Sequence, residues 1–354
     1  MFSSLAVSNE ELERKGRIVA EVLRIPVDQL ESEFSRILDV LGFESEARSR
    51  CARLFAENTL DGVSSHGINR FPRFVQYVRD GYIRVNAKPE IRHRAGAIEQ
   101  WDGCLGPGPL NALFATDRAM DLAKECGIGC VALFNTNHWM RGGHYAWRAA
   151  KAGFVFIGWT NTTSNMPAWG AVDCRLGNNP LVLGVPFKDE AIVLDMAMSQ
   201  FSYGSVESYQ IKSMPLPLPG GYDRAGVLTT DPSEILESRR LLPVGYWKGS
   251  GLALLLDVLA VILSGGLSTS QISQQQAESA VSQVFIAIDI SQLRNNLTIQ
   301  ESVNDIIEDL HKSLAADETR KILYPGERVL HTRSENLKKG IPVDRSVWEE
   351  VQKL

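Results

Sequence analysis

A histidine and an arginine four residues apart form the pair in this chain whose chemistry is most useful to an enzyme. His66 lies between a serine and a glycine, just past an apparent helix, and Arg70 follows. An imidazole can protonate an alkoxide as it develops, and a guanidinium can hold a carboxylate through paired hydrogen bonds. Gly67 lets the ring approach a ligand without steric crowding. The spacing alone fits an ordinary surface loop equally well, so the choice depends on the rest of the chain.

Three further loops combine glycines with polar side chains. Residues 135–145 leave a buried strand and enter a helix, which is the usual place for ligand contacts in an open α/β sheet. Residues 159–180 contain short polar side chains and glycines whose backbone N–H groups suit a phosphate. Residues 245–251 precede an apolar helix, where glycines leave N–H groups free for an anion and Lys248 adds a charge. Each loop also fits a purely structural turn.

Several familiar site patterns are missing from the sequence. No Gly-x-Gly-x-x-Gly separates a strand from a helix, and no Walker A motif is present, so a nucleotide needs a loop of another design. The six histidines include no i, i+4 pair and no His-Glu-x-x-His, so we predict no metal site. A Gly-x-Ser-x-Gly turn is also missing, which argues against an α/β-hydrolase.

Length and composition indicate a soluble globular protein of two domains. The chain has 354 residues, 44% of them hydrophobic and 22% charged, with a net charge of −5 and no basic run. We therefore expect no nucleic-acid partner. Five cysteines without paired spacing predict free, mostly buried thiols in a reducing compartment. No signal-peptide pattern opens the chain, and the apolar run 252–263 is too short to span a membrane. We expect a cytoplasmic protein, with that run as a buried helix.

Hydrophobic periodicity predicts an α/β or α+β protein with a mixed sheet. Residues 30–41 and 47–60 read as a helical hairpin that presents the His66 turn. Helices are further predicted at 113–123, 145–152, 251–264 and 303–315, strands at 130–134, 154–159, 181–185, 191–194 and 284–290, and a loop at 201–220. Residues 1–23 look like an appendage with a short charged helix at its capping sequence Ser8–Glu11.

Five separated motifs together resemble one enzyme family, and they cover the chain from about residue 24 to its end. They are Ser65-His66-Gly67 with Arg70, Asn137-His138-Trp139, Gly177-Asn178-Asn179-Pro180-Leu181, Leu194-Asp195-Met196-Ala197-Met198-Ser199 and Gly249-Ser250-Gly251-Leu252. In this order and spacing they resemble the second-type malate/L-lactate dehydrogenases, which also include ureidoglycolate dehydrogenase and Δ1-piperideine-2-carboxylate reductase.

The resemblance implies a fold and a domain organisation. The fold would be a non-Rossmann NAD-binding α/β fold with a mixed sheet, which agrees with the missing glycine fingerprint. Residues 24–140 with 266–354 would form a discontinuous domain for substrate and dimerisation, and 141–265 the NAD-binding domain, after an extension at 1–23. Members of the family are homodimers, and the cofactor lies between the two domains.

The resemblance also implies functional residues. His66 matches the proton donor of a reductase that uses NADH, with NADPH left open as an alternative. The positions that match cofactor contacts are Ile192, Val193, Leu194, Asp195, Met196, Ala197, Trp247, Lys248, Gly326, Glu327 and Arg328. Arg328 departs from the family pattern, because it stands where a carboxylate is expected. Residues 1–23 have no counterpart in the most similar relatives.

The resemblance implies a 2-keto sugar acid as the substrate, reduced at its C2 carbonyl. We expect Arg70 to bind the carboxylate and His138 and Arg141 to contact the polyol tail. Two alternatives stay open: reduction of another 2-keto acid or of a cyclic imine acid, and a non-catalytic sugar-acid-binding protein. No membrane partner is expected.

Overall fold

A helical hairpin near the start of the chain carries the His66 turn, as predicted. The protein is described by a computed structural model that covers residues 21–294, 296–317 and 321–354. Helix α1 spans Val27–Val40 and helix α2 spans Ser45–Leu60. Their apolar faces meet at Phe34 and Phe55, which are both fully buried. The helix predicted at Ser8–Glu11 lies outside the described residues.

The remaining elements alternate along most of the chain. The other helices are α3 Phe71–Arg79, α4 Gly108–Cys126, α5 Gly142–Lys151, α6 Tyr203–Ile211, α7 Pro232–Ser238, α8 Trp247–Ser264, α9 Thr269–Ile272, α10 Asn296–His311, α11 Glu327–Lys339 and α12 Arg345–Gln352. The strands are β1 Val22–Ile25, β2 Glu90–Ala95, β3 Ile98–Asp102, β4 Ile128–Thr136, β5 Phe154–Thr160, β6 Met166–Pro167, β7 Cys174–Leu176, β8 Leu181–Phe187, β9 Glu190–Met196, β10 Gly221–Tyr222, β11 Leu228–Thr229, β12 Arg240–Leu241, β13 Val281–Asp289 and β14 Ile341–Asp344.

A seven-stranded mixed sheet forms the centre of the molecule, which confirms the predicted fold class. Its strand order is β2-β3-β4-β13-β5-β8-β9. Only β3 and β4 run parallel within this order, and the other neighbouring strands are antiparallel. A doubly wound nucleotide-binding sheet is mostly parallel, so this sheet belongs to a different architecture.

Alternating side chains on the central strands build a core on each face of the sheet. Val131 and Leu133 of β4 pack with α4 and α5 on one face. Cys130 and Ala132 point to the other face, where they pack with α8. Because both faces of β4 are covered, its residues read as an almost continuous apolar run in the sequence.

Both ends of the described chain join the helical hairpin. Strand β1 pairs antiparallel with β14, and Ile341 and Trp348 share one core with α1 and α2. The central sheet takes strands from residues 24–140 with 266–354 and also from 141–265. The predicted domain division stays a prediction.

Two local predictions need correction. The segment 201–220 was expected to be rich in loop, but nine of its residues form α6, whose N-terminus the Ser202 side chain caps by accepting from the Ser205 N–H. The hairpin of β2 and β3 was not predicted. All of β2 is exposed, so it lacks the alternation of buried and polar positions that marks a strand.

Helix α8 is not the buried helix that its apolar sequence predicted. One face packs on the sheet through Ala253, Leu256 and Ala260. The opposite face is apolar but exposed, with Leu255 at 56% and Ile262 at 66% of their full exposure. By length and composition alone α8 could also cross a membrane, a test that helices of soluble proteins pass as well. A face of this kind marks a surface for another protein or for a membrane.

The cysteines are free, as predicted, but fewer are buried than expected. Cys51 and Cys130 are buried, Cys104 and Cys174 are half-buried, and Cys126 is exposed. The two buried thiols are the ones that face the apolar cores.

Candidate functional site

The turn that carries His66 is fixed to the end of α2 by side chains of that helix. Its two short 3₁₀ segments, Ser64–His66 and Ile68–Arg70, meet at Gly67. Thr59 accepts from the Ile68 N–H at 3.0 Å, and Asn58 donates to the His66 carbonyl at 3.1 Å. A Cβ on residue 67 would lie 2.2 Å from the Thr59 hydroxyl. Gly67 is therefore required for this close approach as well as for access to the ring.

The His66 imidazole is half-buried and is held by one hydrogen bond and one ring contact. Its Nδ1 lies 3.0 Å from the Ser65 hydroxyl. Its face stacks on the His138 ring. Burial and the charges of Arg70 and Arg141 lower the pKa of His66 to about 4. The ring is therefore neutral at pH 7 in the unliganded protein, although the expected proton donor is an imidazolium.

The tautomer of His138 follows from its backbone contact. Its Nδ1 accepts a hydrogen bond from the Met140 N–H at 3.0 Å. In the neutral ring the proton then lies on Nε2. Burial, together with Arg70 and His66, lowers the pKa of His138 well below its ordinary value. His138 is thus a neutral donor, which suits a ligand oxygen.

Arg141 directly precedes α5 and is a buried cation beside two carboxylates. It is 5% exposed and forms an ion pair with Asp61 through Nη1. Asp195, at the end of β9, accepts from the Gly143 N–H at 2.7 Å. Burial raises the pKa of Asp195, while Arg141 and that hydrogen bond oppose the rise. The first turn of α5 thus joins Asp61 to the end of β9.

A cavity of about 220 Å³ joins several of these groups. Its wall includes His66, His138, Arg141 and Asp195, together with Thr162, Asn178 and Ser202. Arg70 is not among its lining residues in the described chain, and it pairs instead with Glu278 at 3.4 Å. The cavity therefore brings together the predicted proton donor and both predicted contacts of the polyol tail, while Arg70 lies nearby and is shared with a carboxylate.

Two of the three segments expected to contact a nicotinamide cofactor meet at β9, and the third follows a loop that is linked just beyond the end of this strand. The Val193 N–H donates to Pro325 at 2.9 Å, and a Cβ on Gly326 would lie 3.2 Å from Val193 backbone atoms. Beyond the end of β9, the Val244 N–H donates to Met198 at 2.9 Å, three residues before Trp247–Lys248. The residues present therefore fit an extended cofactor placed near β9.

The loop before α8 differs from its prediction in one respect. The N–H groups of Lys248, Gly249 and Ser250 donate to carbonyls of the same loop, so they are not free for an anion. Gly249 is needed for packing instead, because a Cβ there would lie 2.3 Å from the Val244 carbonyl oxygen. The side chains of Trp247 and Lys248 are exposed and remain available to a ligand.

The carboxylate missing at Arg328 is present one position earlier. Glu327 accepts from the Tyr324 N–H at 3.0 Å and lies 3.0 Å from Nε2 of His311. Arg328 itself is exposed on the first turn of α11. The turn therefore carries a carboxylate that is already engaged by local partners.

Asp61 is the residue at this site that sequence reasoning missed. It is 8% exposed and lies 80 positions before Arg141. Nothing in its local sequence distinguishes it from an exposed helix-end carboxylate, so only its position in the fold identifies it. Within the described ranges, no group of three or more His, Cys, Asp or Glu side chains is arranged to hold a metal ion.

Comparison with known proteins identifies the family and agrees with the fold. A family model described as malate/L-lactate dehydrogenase matches residues 25–352. The 2,3-diketo-L-gulonate reductase of Citrobacter koseri is 44% identical over 333 residues, which is 94% of this chain and 100% of that protein.

Solved structures give the same result. The malate dehydrogenase of Pyrococcus horikoshii superimposes with a TM-score of 0.85 and 31% identity, covering 94% of both chains. A putative malate/lactate dehydrogenase of Escherichia coli gives a TM-score of 0.87 and 30% identity over 93% of both chains.

Proposed function

The chain belongs to the malate/L-lactate dehydrogenase family, and from that premise we propose that it reduces the C2 carbonyl of 2,3-diketo-L-gulonate to give 3-dehydro-L-gulonate. One observation carries the proposal: His66, His138 and Arg141 share a cavity at the end of β9, the strand that the expected cofactor segment at Gly326 contacts. The 44% identity to a reductase of this substrate supports the choice of keto acid.

The chemistry divides between the cofactor and the chain. A bound nicotinamide supplies the hydride that reduces C2. His66 supplies the proton to the carbonyl oxygen as negative charge grows on it, so that the ketone becomes a secondary alcohol. The neutral His138 Nε2–H is placed to donate a hydrogen bond to a substrate oxygen.

The negative charge of the substrate explains how His66, which is neutral in the unliganded protein, becomes a proton donor. A 2-keto acid is an anion, and its carboxylate beside Arg70 and Arg141 offsets the two positive charges that keep the pKa of His66 at about 4. Binding then raises the pKa of His66, so the imidazolium forms when the substrate is present. Arg70 can join this contact by sharing its guanidinium between Glu278 and the ligand.

The cofactor is NADH in this proposal. Support comes from the resemblance of the segments Ile192–Ala197, Trp247–Lys248 and Gly326–Arg328 to those that contact NAD in the family. The exposed Lys248 would face the cofactor phosphates. NADPH is the alternative, and parallel assays with the two cofactors decide between them.

The working unit in this proposal is a cytoplasmic homodimer. The exposed apolar face of α8 is the surface on which a second copy would pack. Burial of such a face stabilises a dimer at about 25 cal/mol per Å² of apolar area. Sedimentation of the purified chain tests this point.

Turnover with a panel of acids tests the proposed reaction. The purified chain is given NADH or NADPH with 2,3-diketo-L-gulonate, pyruvate, oxaloacetate and a cyclic imine acid, and loss of nicotinamide absorbance is followed. The highest kcat/KM is expected for the diketo acid with NADH. A higher kcat/KM with another acid would make that acid the substrate. If the nicotinamide is oxidised with none of the acids, the chain is a binding protein rather than a reductase.

A further inference from the structure

A carboxylate at the end of α2 is held between two guanidinium groups from distant elements. One oxygen of Asp61 pairs with Arg141 at the start of α5. Its other oxygen accepts from Arg333 of α11 at 2.7 Å. Asp61 is 8% exposed and Arg141 is 5% exposed, whereas Arg333 is 37% exposed. The charge of Asp61 is therefore screened less towards Arg141 than towards Arg333.

Arg141 is the member of this group that reaches the active cavity. It lines the cavity with His66 and Asp195, and its charge acts on the pKa values of both. Among the residues that the structure describes, its guanidinium donates only to Asp61, through Nη1. Nε and Nη2 remain for a ligand, so one half of the guanidinium is anchored and the other half is available.

We propose that Asp61 is a positioning residue, which anchors the Arg141 guanidinium at the cavity wall and offsets part of its charge so that His66 can accept a proton. This inference rests on the proposed function, because it assigns Asp61 a part in the same reaction. Without the Asp61 carboxylate, Arg141 would be an uncompensated cation beside a ring that must itself become positive.

The charges around His66 come from several elements, and they define what Asp61 has to balance. Arg70 lies on the next turn, Arg141 directly before α5 and Asp195 on β9, while neutral His138 stacks on the ring face. Arg70 is already paired with Glu278, and burial favours the protonated form of Asp195. Asp61 supplies the carboxylate that balances Arg141, which is the cation of this group that lines the cavity.

A purely structural ion pair elsewhere provides the matched control. Glu99 of β3 is fully buried, and its carboxylate accepts two hydrogen bonds from Arg118 of α4, at 2.9 and 2.7 Å. It is not among the residues that line the active cavity. Glu99→Gln removes a buried carboxylate of the same kind. It therefore reproduces the loss of stability that follows when a buried ion pair is broken, without any effect on the pKa of His66.

The test is an NMR titration of the His66 imidazole in the unliganded full chain, with its signal identified by its loss in His66→Gln. Asp61→Asn is expected to lower the midpoint by about one pH unit, and Arg141→Met to raise it by about the same amount. Glu99→Gln should leave it unchanged. Shifts of the same sign in Asp61→Asn and Arg141→Met, or an unchanged midpoint in both, would overturn the inference.

Two features keep the test decisive. If Asp61→Asn does not fold, Arg141→Met still tests the charge, because Asp61 keeps Arg333 as a partner in that variant. An unmoved midpoint there overturns the inference. The titration needs no substrate, so its outcome stands even if the proposed reaction fails. With an active enzyme, Asp61→Asn should also raise KM for the keto acid about tenfold while the Kd for NADH stays unchanged.

Discussion

The imidazole rings of His66 and His138 stack with their centroids 5.8 Å apart and their planes inclined by 20°. His138 has a fixed acceptor contact at Nδ1 and is a neutral donor, while His66 has a pKa of about 4 that ligand charge can raise. Two histidines side by side thus have different roles, one to orient a substrate oxygen and one to give it a proton.

Loss of the His66 ring should remove the proton transfer and little else. We expect His66→Gln to reduce kcat by about 10²- to 10⁴-fold, the usual contribution of a general acid, while NADH binds with unchanged Kd. His93 is exposed on β2, so His93→Gln is the matched control and should retain full activity. Steady-state kinetics and a fluorescence titration of NADH provide the two readouts. Near-normal kcat in His66→Gln would remove this residue from the mechanism.

Replacement of the His138 ring should act on substrate binding. His138→Phe keeps an aromatic face against His66 but removes the Nε2–H donor, so KM for the keto acid should rise about tenfold with a smaller change in kcat. The measurement is KM at saturating NADH. A large loss of kcat at unchanged KM would instead give His138 a part in the proton transfer.

Replacement of Arg70 should weaken substrate binding, whereas replacement of its exposed neighbour should not. Arg70→Met is expected to raise KM for the keto acid at least tenfold, because a charge-assisted contact to the carboxylate is lost. Arg73→Met is the control, since Arg73 is exposed on α3 and should leave KM within about twofold. If KM is unchanged in Arg70→Met, the carboxylate site belongs to Arg141 alone.

Substrate binding should be coupled to proton uptake. Below pH 4 His66 is already charged, and above it the ring is neutral until an anionic ligand raises its pKa. At pH 7 we expect the enzyme with NADH to take up a proton when it binds a non-reacting analogue of the keto acid. Calorimetry in buffers of different ionisation enthalpy measures this uptake. It should vanish in His66→Gln, and persistence there would point to Asp195 as the group that gains the proton.

A charge on the exposed face of α8 should break the proposed dimer. Ile262→Glu introduces a buried charge into a dimer contact, so the variant should sediment as a monomer while its circular dichroism stays unchanged. Val40→Glu is the control, because Val40 is at least as exposed but lies at the end of α1. A dimer that persists in Ile262→Glu would place the contact elsewhere.

The sequence predicted much of this architecture but not the interactions that join its parts. Periodicity located α1, α2, α4 and the central strands, because burial on one face leaves a regular pattern. It also located α8 but predicted that this helix is buried, because its exposed face is as apolar as its core face. The Asp61–Arg141 pair was beyond reach because its residues meet only through the fold. The prediction of free N–H groups before α8 was wrong for a related reason. Whether a backbone N–H finds a carbonyl partner depends on the path of the loop in the folded protein.

The most direct test of the account is the rate of NADH oxidation with 2,3-diketo-L-gulonate in the wild-type chain and in His66→Gln, measured side by side at pH 7. We predict rapid turnover in the wild type, a loss of about 10²-fold or more in the variant, and the same NADH affinity in both. Equal turnover in the two proteins, or none in the wild type with this acid, would contradict the account.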